Sequence, residues 1–332
     1  MTLSIDWPCV ALANAPLAKR TNLRVGGSVE WLLEPSTPDE LREAWLAAQE
    51  HKLDTRILGG GANLIIGDGI LPGVVISTGR VRRTFRPLDP GEVIDPEEMT
   101  DEQAKALFDI EAPVIAADDP RLIVWAGASL PGLVHAASKL GWSGLEGLIG
   151  VPGTLGGAIA MNAGGRWGEM WDVVDMVRVL GPDGEFQDIQ KADANPTYRN
   201  GGLGGSIVVG AVLRLELDNK RRVAERAREY LKEKSKVQPV TEASAGCIFK
   251  NPGGPKAGND DSGKISAGRL IDELGLKGLE RGGAVVSKVH GNFIVNRGGA
   301  TGSDVFGLID ELRTKVQEAR GIDLQIEVKR WR

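Results

Sequence analysis

The chain has 332 residues, of which 26% are charged and 42% hydrophobic, and a formal net charge of −5. This length and composition indicate a folded protein of two or three domains and exclude a long disordered chain. The mild net negative charge does not favour binding to a nucleic acid or an anionic membrane, because both are negatively charged. With 2 cysteines and 3 histidines, the chain has too few ligands for a disulfide scaffold or a structural zinc site, so we expect no metal.

The same features bear on where the protein works. Two cysteines fit a reducing cytosol, and no segment approaches the ~20 apolar residues that span a bilayer. The N-terminus also lacks the pattern of a secretory signal. We therefore expect a cytoplasmic protein.

Short strands alternate with one helix over the first 80 residues. A strand at residues 29–33 precedes a helix with Thr37 as its N-cap and Pro38 as its first residue. The apolar residues of this helix share one face: Leu41, Ala44, Trp45 and Ala48. Two further strands are predicted at residues 55–58 and 74–77.

Residues 82–120 differ from the rest because five prolines interrupt an acidic stretch with little apolar periodicity. We interpret this stretch as a surface excursion with one short helix at residues 101–107. A strand at residues 122–126 and a helix at 130–140 follow, and Gly141 is expected to end the helix. Three more strands are predicted at residues 173–180, 186–189 and 207–216.

A charged helix at residues 219–236 is predicted to lead into a C-terminal α+β lobe. In this lobe a helix at residues 267–274 precedes a strand at 291–296. A long helix follows, with Ser303 as its N-cap and Gly321 as its end. Its apolar residues form one buried stripe: Val305, Ile309, Leu312 and Val316. The last strand alternates, with residues 324, 326 and 328 apolar and 325, 327 and 329 polar.

Glycine makes up 45 of the 332 residues, about twice its usual share of ~7%. The turn Gly59-Gly60-Gly61-Ala62-Asn63-Leu64 lies between two strands, where successive backbone N–H groups can bind a phosphate. A purely structural glycine turn explains this pattern equally well. Glycine also recurs at every third position from 141 to 156, with too little proline for collagen. The apolar residues in between favour tight turns against a broad planar ligand, with Thr154 and Asn162 as polar contacts.

Five motifs, in this order, resemble the UDP-N-acetylenolpyruvoylglucosamine reductase (UDP-N-acetylmuramate dehydrogenase) family. They are the turn at residues 59–64, the stretch 144–165, Tyr198-Arg199, Ser244-Ala245-Gly246-Cys247-Ile248-Phe249-Lys250-Asn251-Pro252 and the closing stretch 324–328. The resemblance implies an α+β fold, in which a two-part FAD-binding region of the vanillyl-alcohol oxidase (PCMH) type precedes a C-terminal α+β substrate-binding lobe. The implied domains are residues 1–80, 81–218 with the insertion 82–120, and 219–332. The last strand could return to the FAD-binding region.

The resemblance also implies the reaction, the NADPH-dependent, FAD-mediated reduction of UDP-N-acetylglucosamine enolpyruvate to UDP-N-acetylmuramate in peptidoglycan precursor synthesis. Hydride addition at C3 of the enolpyruvyl ether leaves negative charge at C2 and its carboxylate, so the chemistry needs a cation and an acid. Arg199 matches the arginine that binds this charge, and Glu327 matches the C-terminal glutamate of the family. Cys247 stands where the family most often has a proton-donating serine. The residues expected to bind the substrate are Tyr198, Lys250 and Asn251, and the phosphates of NADPH are an alternative partner for Lys250 and Asn251.

The FAD-binding residues are implied in the same way. The pyrophosphate is expected at the glycine turn, which comprises Gly59, Gly60, Gly61, Ala62, Asn63 and Leu64. The flavin is expected along Gly127, Gly150, Val151, Pro152, Gly153, Thr154, Gly157, Ala158, Asn162, Ala163 and Gly164. The implied partners are small molecules, with no nucleic acid and no membrane, and the oligomeric state stays open, a monomer included.

Departures from the family pattern and two alternatives remain. Beyond Arg199 the chain runs through a glycine-rich stretch straight into a strand, which indicates the family branch without a tyrosine-bearing loop. We expect His290 to be structural and Cys9 to be inert. An FAD-dependent sugar or hydroxy-acid oxidase of the same fold would need a base in place of Cys247. A non-catalytic flavin or nucleotide-sugar binding protein would need no proton donor at all.

Overall fold

The computed structural model describes residues 5–85, 120–252 and 265–332. The predicted helix at residues 101–107, and all of the surface excursion except residues 82–85 and 120, lie outside the described residues.

The helices confirm most of the predicted ones. They are α1 (Pro38–Glu50), α2 (Leu130–Leu140), α3 (Leu155–Ala160), α4 (Lys191–Ala194), α5 (Lys220–Val237), α6 (Ala267–Glu273) and α7 (Gly302–Arg320). The Thr37 hydroxyl accepts a hydrogen bond from the Glu40 N–H at 3.1 Å, which confirms the predicted N-cap of α1. Gly141 ends α2 with a φ of 80°, as its position predicts.

The strands are short and fall into several small sheets. Those before residue 150 are β1 (Val10–Pro16), β2 (Ser28–Glu34), β3 (Thr55–Leu58), β4 (Leu64–Ile66), β5 (Ile70–Ser77), β6 (Thr84–Phe85), β7 (Arg121–Trp125) and β8 (Trp142–Ser143). The next are β9 (Gly164–Gly165), β10 (Gly168–Glu169), β11 (Val174–Leu180), β12 (Phe186–Gln190), β13 (Ile207–Arg214) and β14 (Glu216–Leu217). The last are β15 (Ser244–Cys247), β16 (Glu280–Arg281), β17 (Ala284–Val286), β18 (Phe293–Asn296) and β19 (Lys329–Trp331).

The strands form several sheets, and the last strand of the chain pairs with a strand near its beginning. A four-stranded sheet has the order β1-β2-β5-β3, and a five-stranded antiparallel sheet has the order β12-β11-β13-β7-β6. A second four-stranded sheet, β15-β18-β17-β16, is built from the C-terminal part of the chain. The final strand β19 pairs in parallel with β4, with Lys329 opposite Leu64. The last strand therefore pairs with one from the first 80 residues.

The described chain folds into two compact units. The first takes its described residues from Met1–Leu12, Leu32–Gly60 and Val74–Leu231, and the second from Ala13–Trp31, Gly61–Gly73 and Lys232–Arg332. In the first unit, β7, β11 and β13 pack with α2 and α3 around one apolar core. In the second, the predicted stripe of α7 is fully buried against β15, β17 and β18. These units group the chain differently from the three predicted domains.

The predicted N-cap of α7 is wrong by two residues. The cap is Thr301, whose hydroxyl accepts from the Asp304 N–H at 3.0 Å while the Asp304 carboxylate accepts from the Thr301 N–H at 2.9 Å. Ser303 lies inside the first turn, and its hydroxyl donates to Asp68 at 2.7 Å. The reciprocal pair between Thr301 and Asp304 satisfies two N–H groups at once, which a cap at Ser303 could not do.

The last strand is also shorter than predicted. Regular pairing begins only at Lys329, with β19. Residues 324–328 keep the predicted alternation, since Leu324 and Val328 are buried and Gln325 is exposed. Within the described chain, this stretch makes one isolated bridge, from Ile326 to Phe249.

Candidate active site

Two glycine-rich stretches that are far apart in the sequence meet within the first unit. A Cβ atom at Gly60 would lie 2.6 Å from the Cα of Gly153, and one at Gly59 would lie 2.9 Å from the Thr154 hydroxyl. A side chain at Gly60 would therefore overlap backbone. The glycine turn packs directly on the start of α3, so the structure brings together predicted cofactor-binding residues from both motifs.

Thr154 occupies the N-cap position of α3 but does not cap the helix with its side chain. Its hydroxyl oxygen is buried and has no hydrogen-bond partner among the described residues. The first two N–H groups of the helix, on Leu155 and Gly156, donate instead to the carbonyls of Ala128 and Ala126. Leaving a buried hydroxyl unsatisfied is destabilising by about 1–3 kcal/mol. The Thr154 hydroxyl is thus suited to a hydrogen-bonding ligand.

These features fit the FAD that the resemblance implies. Backbone without side chains allows close approach by a diphosphate or a flat ring, and the Thr154 hydroxyl can donate or accept a hydrogen bond. Close to Thr154 in the sequence, Pro152 and Gly157 are exposed, whereas Ala158 is buried. The residues best placed to hold the cofactor are Gly59, Gly60, Gly153, Thr154 and Gly157.

Several other glycines are explained by contacts within the protein. A Cβ atom at Gly127 would lie 2.1 Å from the Thr78 carbonyl oxygen, and one at Gly164 would lie 2.6 Å from the Cα of Glu169. Two members of the three-residue repeat are also packed on protein, Gly147 on Trp167 and Gly156 on Ala126. Packing on protein therefore already accounts for glycine at these two positions, and the interpretation that the repeat packs on a ligand stays a prediction.

The second half of the glycine turn belongs to the second unit. Gly61 has a φ of 61°, and a Cβ atom there would lie 2.2 Å from the Arg20 carbonyl oxygen. The Asn63 carbonyl accepts from the Lys329 N–H at 3.0 Å, and Leu64 begins β4. For Gly61, Ala62, Asn63 and Leu64, and for Gly150, Val151 and Ala163 in the first unit, FAD binding stays a prediction.

Asn162 was predicted to contact the flavin, yet its buried amide is used within the protein. Its Nδ2 donates to Glu169 at 2.8 Å and to the Thr197 carbonyl at 3.4 Å. Its Oδ1 accepts from the Trp171 N–H at 3.2 Å. The side chain therefore connects the end of α3 to the loop that begins at Thr197.

Tyr198 and Arg199 form the tip of a tight turn in this loop. Thr197 and Asn200 exchange both backbone hydrogen bonds across it, at 2.8 and 3.0 Å. Arg199 has a φ of 59°, a conformation that costs a residue with a side chain about 1–2 kcal/mol. Its Nη1 donates to the Gly164 carbonyl at 3.2 Å, and its guanidinium lies 5.0 Å from the centre of the Tyr198 ring. Backbone strain of this kind concentrates at functional sites, which supports Arg199 as a candidate catalytic residue.

The two glycines that follow this turn pack on two helices, Gly201 on α3 and Gly202 on the end of α4. A Cβ atom at Gly201 would lie 2.3 Å from the Ile159 carbonyl oxygen, and one at Gly202 would lie 1.7 Å from the Ala194 carbonyl oxygen. The Gly201 N–H also donates to the Ala160 carbonyl at 2.9 Å. Close backbone packing therefore fixes the position of the Tyr198-Arg199 turn within the first unit.

Cys247 and Glu327 lie on neighbouring segments of the second unit. Cys247 ends β15, and the Glu327 N–H donates to the carbonyl of the next residue, Ile248, at 2.8 Å. The bridge between residues 249 and 326 is antiparallel. Both side chains are half-buried. The structure thus brings two of the three predicted catalytic residues onto paired backbone, while Arg199 belongs to the first unit.

Lys250 and Asn251, predicted to bind the substrate, follow Cys247 along the chain. The Lys250 N–H donates to the Gln325 carbonyl at 2.8 Å, which continues the pairing with the C-terminal segment. Asn251 Oδ1 accepts from the Ala267 N–H at 3.1 Å, and Ala267 is the first residue of α6. Asn251 therefore holds the start of a helix, and its substrate contact stays a prediction.

No motif or apolar period in the sequence singles out Asn292 as a residue of this site. This buried residue donates through Nδ2 to the Phe249 carbonyl at 2.8 Å and accepts through Oδ1 from the Phe249 N–H at 2.9 Å. The signal that could have found it is its place in the predicted strand at residues 291–296, two residues after His290.

His290 and Cys9 behave as the sequence predicts. His290 Nδ1 accepts from the Asn292 N–H at 3.1 Å, and its ring packs on Phe293. Burial, followed by the positive charge of Lys277, lowers the pKa of His290, so a structural role for the neutral ring is supported. Burial raises the pKa of the Cys9 thiol to about 11, which keeps the unreactive protonated form.

Residues 5–85, 120–252 and 265–332 contain no group of three or more histidine, cysteine or acidic side chains arranged to hold a metal ion. None of their helices has the length and apolar composition needed to cross a membrane.

Comparison with known proteins covers nearly the whole chain. A family described as "UDP-N-acetylenolpyruvoylglucosamine reductase, C-terminal domain" matches residues 238–331, and one described as "FAD binding domain" matches residues 29–100 and 108–190. UDP-N-acetylenolpyruvoylglucosamine reductase of Deinococcus radiodurans is 40% identical over 95% of this chain and 94% of its own length. The Nostoc punctiforme protein of the same name is 36% identical over 97% of this chain and 86% of its own.

A solved structure agrees with these matches. The crystal structure of UDP-N-acetylenolpyruvylglucosamine reductase from Thermus caldophilus matches with a TM-score of 0.71 and 35% identity, covering 97% of this chain and 98% of that one. With the matched FAD-binding domain, it confirms the predicted α+β fold with an FAD-binding region. The chain belongs to the UDP-N-acetylenolpyruvoylglucosamine reductase family.

Proposed function

We propose that this protein is an FAD-dependent oxidoreductase that uses NADPH to reduce UDP-N-acetylglucosamine enolpyruvate to UDP-N-acetylmuramate. The product is a peptidoglycan precursor, so the reaction would serve cell-wall synthesis, and through it cell shape and division, in the cytoplasm. The observation that carries the proposal is the backbone pairing of residues 248–250, which follow Cys247 directly, with residues 325–327, which include Glu327. It lies within residues 238–331, which match the C-terminal domain of this reductase family.

The first requirement of the reaction is a hydride donor and a cation. When bound, FAD would take a hydride from NADPH and supply it to C3 of the enolpyruvyl ether. Negative charge then develops at C2 and spreads into the substrate carboxylate. The Arg199 guanidinium would pair with that carboxylate through two parallel hydrogen bonds, which stabilises the developing charge. The tight turn holds Arg199 in place beforehand, so little reorganisation is needed during the reaction.

The second requirement is an acid that protonates C2. Cys247 would donate its Sγ proton there as a general acid. A thiol and a hydroxyl are both single-proton donors of similar reach, so cysteine can take the place of the serine more common in the family. The acid is active only while Cys247 keeps its proton, because a thiolate has none to donate.

The remaining residues would orient the substrate. Glu327 would orient the enolpyruvyl group beside the acid, since its N–H is bonded to the carbonyl of the residue after Cys247. Tyr198, Lys250 and Asn251 would bind the substrate, with the Lys250 ammonium meeting the diphosphate.

The short connection after Arg199 supports a proposal about the family branch. From the turn at Thr197–Asn200 the chain reaches β13 at Ile207 through Gly201–Gly205. A loop that brings a further tyrosine over the substrate would need more residues than these. We therefore propose the branch without that loop.

The test uses purified protein under anaerobic conditions. The flavin colour should be bleached by NADPH and should return when UDP-N-acetylglucosamine enolpyruvate is added. The matched control is UDP-N-acetylglucosamine, which lacks the reactive double bond and should restore no colour. If a sugar or hydroxy acid bleaches the oxidised protein instead, the chain is an oxidase of the same fold. If neither class of compound changes the colour, it is a non-catalytic binding protein.

A further inference from the structure

Asn292 satisfies several backbone groups of the segment that follows Cys247. Its side chain is 2% exposed. Its Nδ2 donates to the Phe249 carbonyl at 2.8 Å, and its Oδ1 accepts from the Phe249 N–H at 2.9 Å. Its own carbonyl accepts from the Ile248 N–H at 2.9 Å. One residue therefore replaces a strand partner for both Ile248 and Phe249.

The same segment is also bonded to the C-terminal part of the chain. The Ile248 carbonyl accepts from the Glu327 N–H, and the Lys250 N–H donates to the Gln325 carbonyl, both at 2.8 Å. Residues 248–250 thus lie between Asn292 and residues 325–327. A movement of this segment would change the positions of Cys247 and Glu327 together.

We infer that Asn292 is a positioning residue for the reduction, acting through the backbone that carries Cys247 and holds the segment of Glu327. The inference rests on the proposed function, which gives those two residues their chemical roles. Asn292 is not a catalytic residue in this scheme. Proton transfer to C2 depends on the placement of the acid, and a displacement of about 1 Å can slow such a step by ~10²-fold.

The arrangement requires one donor and one acceptor on the same small group, which an amide supplies. An ionised aspartate at this position would place a negative oxygen against the Phe249 carbonyl, with no proton to donate. A protonated aspartate would restore both hydrogen bonds. Asn292→Asp should therefore be impaired when its carboxyl is ionised and should recover as that carboxyl is protonated.

Asn296 provides a matched control in the same unit. Its Nδ2 donates to the Leu23 carbonyl at 3.0 Å, and its Oδ1 accepts from the Gly298 N–H at 2.9 Å. Asn296→Asp makes the same chemical change to the same kind of hydrogen-bond pair. It does so away from the backbone of residues 248–250.

The experiment compares the parent holoenzyme with Asn292→Asp and Asn296→Asp. Each is reduced anaerobically with one equivalent of NADPH per flavin and then mixed with a series of concentrations of UDP-N-acetylglucosamine enolpyruvate. The return of flavin absorbance gives the maximal rate and the substrate dependence. The series runs from about pH 8 to 6.5, where a histidine of lowered pKa such as His290 stays neutral. The ionisable residues around the segment, which are Cys247, Lys250, Glu327 and His290, are the same in all three proteins, so the rate relative to the parent isolates the introduced carboxyl.

We expect the maximal rate of Asn292→Asp to be about 10- to 10²-fold below the parent at the upper pH. Reduction by NADPH should be unchanged, which also shows that the variant is folded. The deficit should narrow by up to about tenfold for each pH unit lowered, because the protonated fraction of the carboxyl grows by that factor. Amide hydrogen exchange, which is independent of turnover, should be faster at residues 248 and 249 when the carboxyl is ionised. Asn296→Asp should match the parent in every measurement.

Three results overturn the inference: equal rates for Asn292→Asp and the parent, equal losses in both variants, or a loss that does not change with pH. If Asn292→Asp fails to bind FAD, the uncharged Asn292→Ser replaces it. Its maximal rate must then fall with NADPH reduction unchanged, or the inference is wrong. If the substrate does not reoxidise the parent itself, the proposed function has failed, and that result is visible before any variant is compared.

Discussion

Replacing the Thr154 hydroxyl with a methyl group is expected to change stability in opposite directions with and without FAD. Thr154→Val keeps the shape of the side chain, and the extended backbone at this position, with φ −117° and ψ 160°, suits a β-branched residue. The hydroxyl is buried and has no partner among the described residues. In FAD-free protein the substitution therefore removes an unsatisfied group and breaks no hydrogen bond.

The magnitude follows from these two states. An unsatisfied buried hydroxyl costs about 1–3 kcal/mol, so the free energy of unfolding of the FAD-free variant should rise by about that amount. In the FAD-bound protein a hydrogen bond contributing about 0.5–1.5 kcal/mol would be lost, so the free energy of unfolding should fall. The two changes add in the binding cycle to about 1.5–4.5 kcal/mol. FAD should therefore bind about 10- to 10³-fold more weakly.

Urea unfolding of FAD-free and FAD-saturated protein measures both stabilities, and a separate titration with FAD measures the Kd. Thr37→Val is the matched control, because the Thr37 hydroxyl already accepts from the Glu40 N–H. Loss of that N-cap should destabilise both states by about 0.5–2 kcal/mol and leave the FAD Kd unchanged. If Thr154→Val behaves like this control, with the same loss in both states, the hydroxyl is not part of the cofactor site.

Three further predictions concern other parts of the molecule. In stopped-flow measurements, Cys247→Ala should be reduced by NADPH at the normal rate but reoxidised by substrate about 10²- to 10⁴-fold more slowly. Cys247→Ser and the control Cys9→Ala should stay active. If Cys247→Ala is reoxidised as fast as the parent, the acid is another residue. Arg226→Met should lower the free energy of unfolding, measured in urea, by about 2–4 kcal/mol. It leaves the buried Glu146 carboxylate without the Arg226 guanidinium, whose Nη2 lies 2.7 Å from Glu146 Oε1. Adding Glu146→Gln to this variant should restore much of the lost stability. Because burial lowers the pKa of His290, the unfolded state binds a proton at this residue more readily than the folded state does. The free energy of unfolding should therefore fall as the pH drops below about 6.5. His290→Asn should make this pH dependence shallower, and an unchanged dependence would contradict the role given to His290.

Elements governed by neighbouring residues could be predicted from the sequence. The start of α1 depends on Thr37 and Pro38, and the end of α2 depends on Gly141, all within a few residues of the helix they define. The cap of α7 was misplaced for a physical reason. Ser303 is an acceptable N-cap by type, but it bonds to Asp68, which is far away in the sequence and cannot be paired with it by local pattern.

For the candidate site, the sequence predicts residues but not the contacts that those residues make within the protein. The motifs indicated that both glycine stretches serve one cofactor, yet only the structure shows Gly60 resting on Gly153. Asn162 was predicted as a ligand contact because a polar residue among glycines suggests one. The structure instead uses its amide to hold Glu169 and Thr197. A single sequence does not reveal whether a polar side chain in a loop faces a ligand or other loops.

The loops that carry the candidate catalytic residues share one physical solution. Irregular backbone leaves N–H and C=O groups without strand or helix partners, and burying them unpaired would be destabilising. A buried asparagine can satisfy one donor and one acceptor at once. Asn162 does this beside the turn of Arg199, and Asn292 does it beside Cys247. Neither asparagine belongs to a helical or alternating apolar pattern, so periodicity cannot detect them. The rigidity that proton transfer requires in these loops therefore depends on side chains outside the catalytic set, and that is where substitutions should slow the reaction without removing any reacting group.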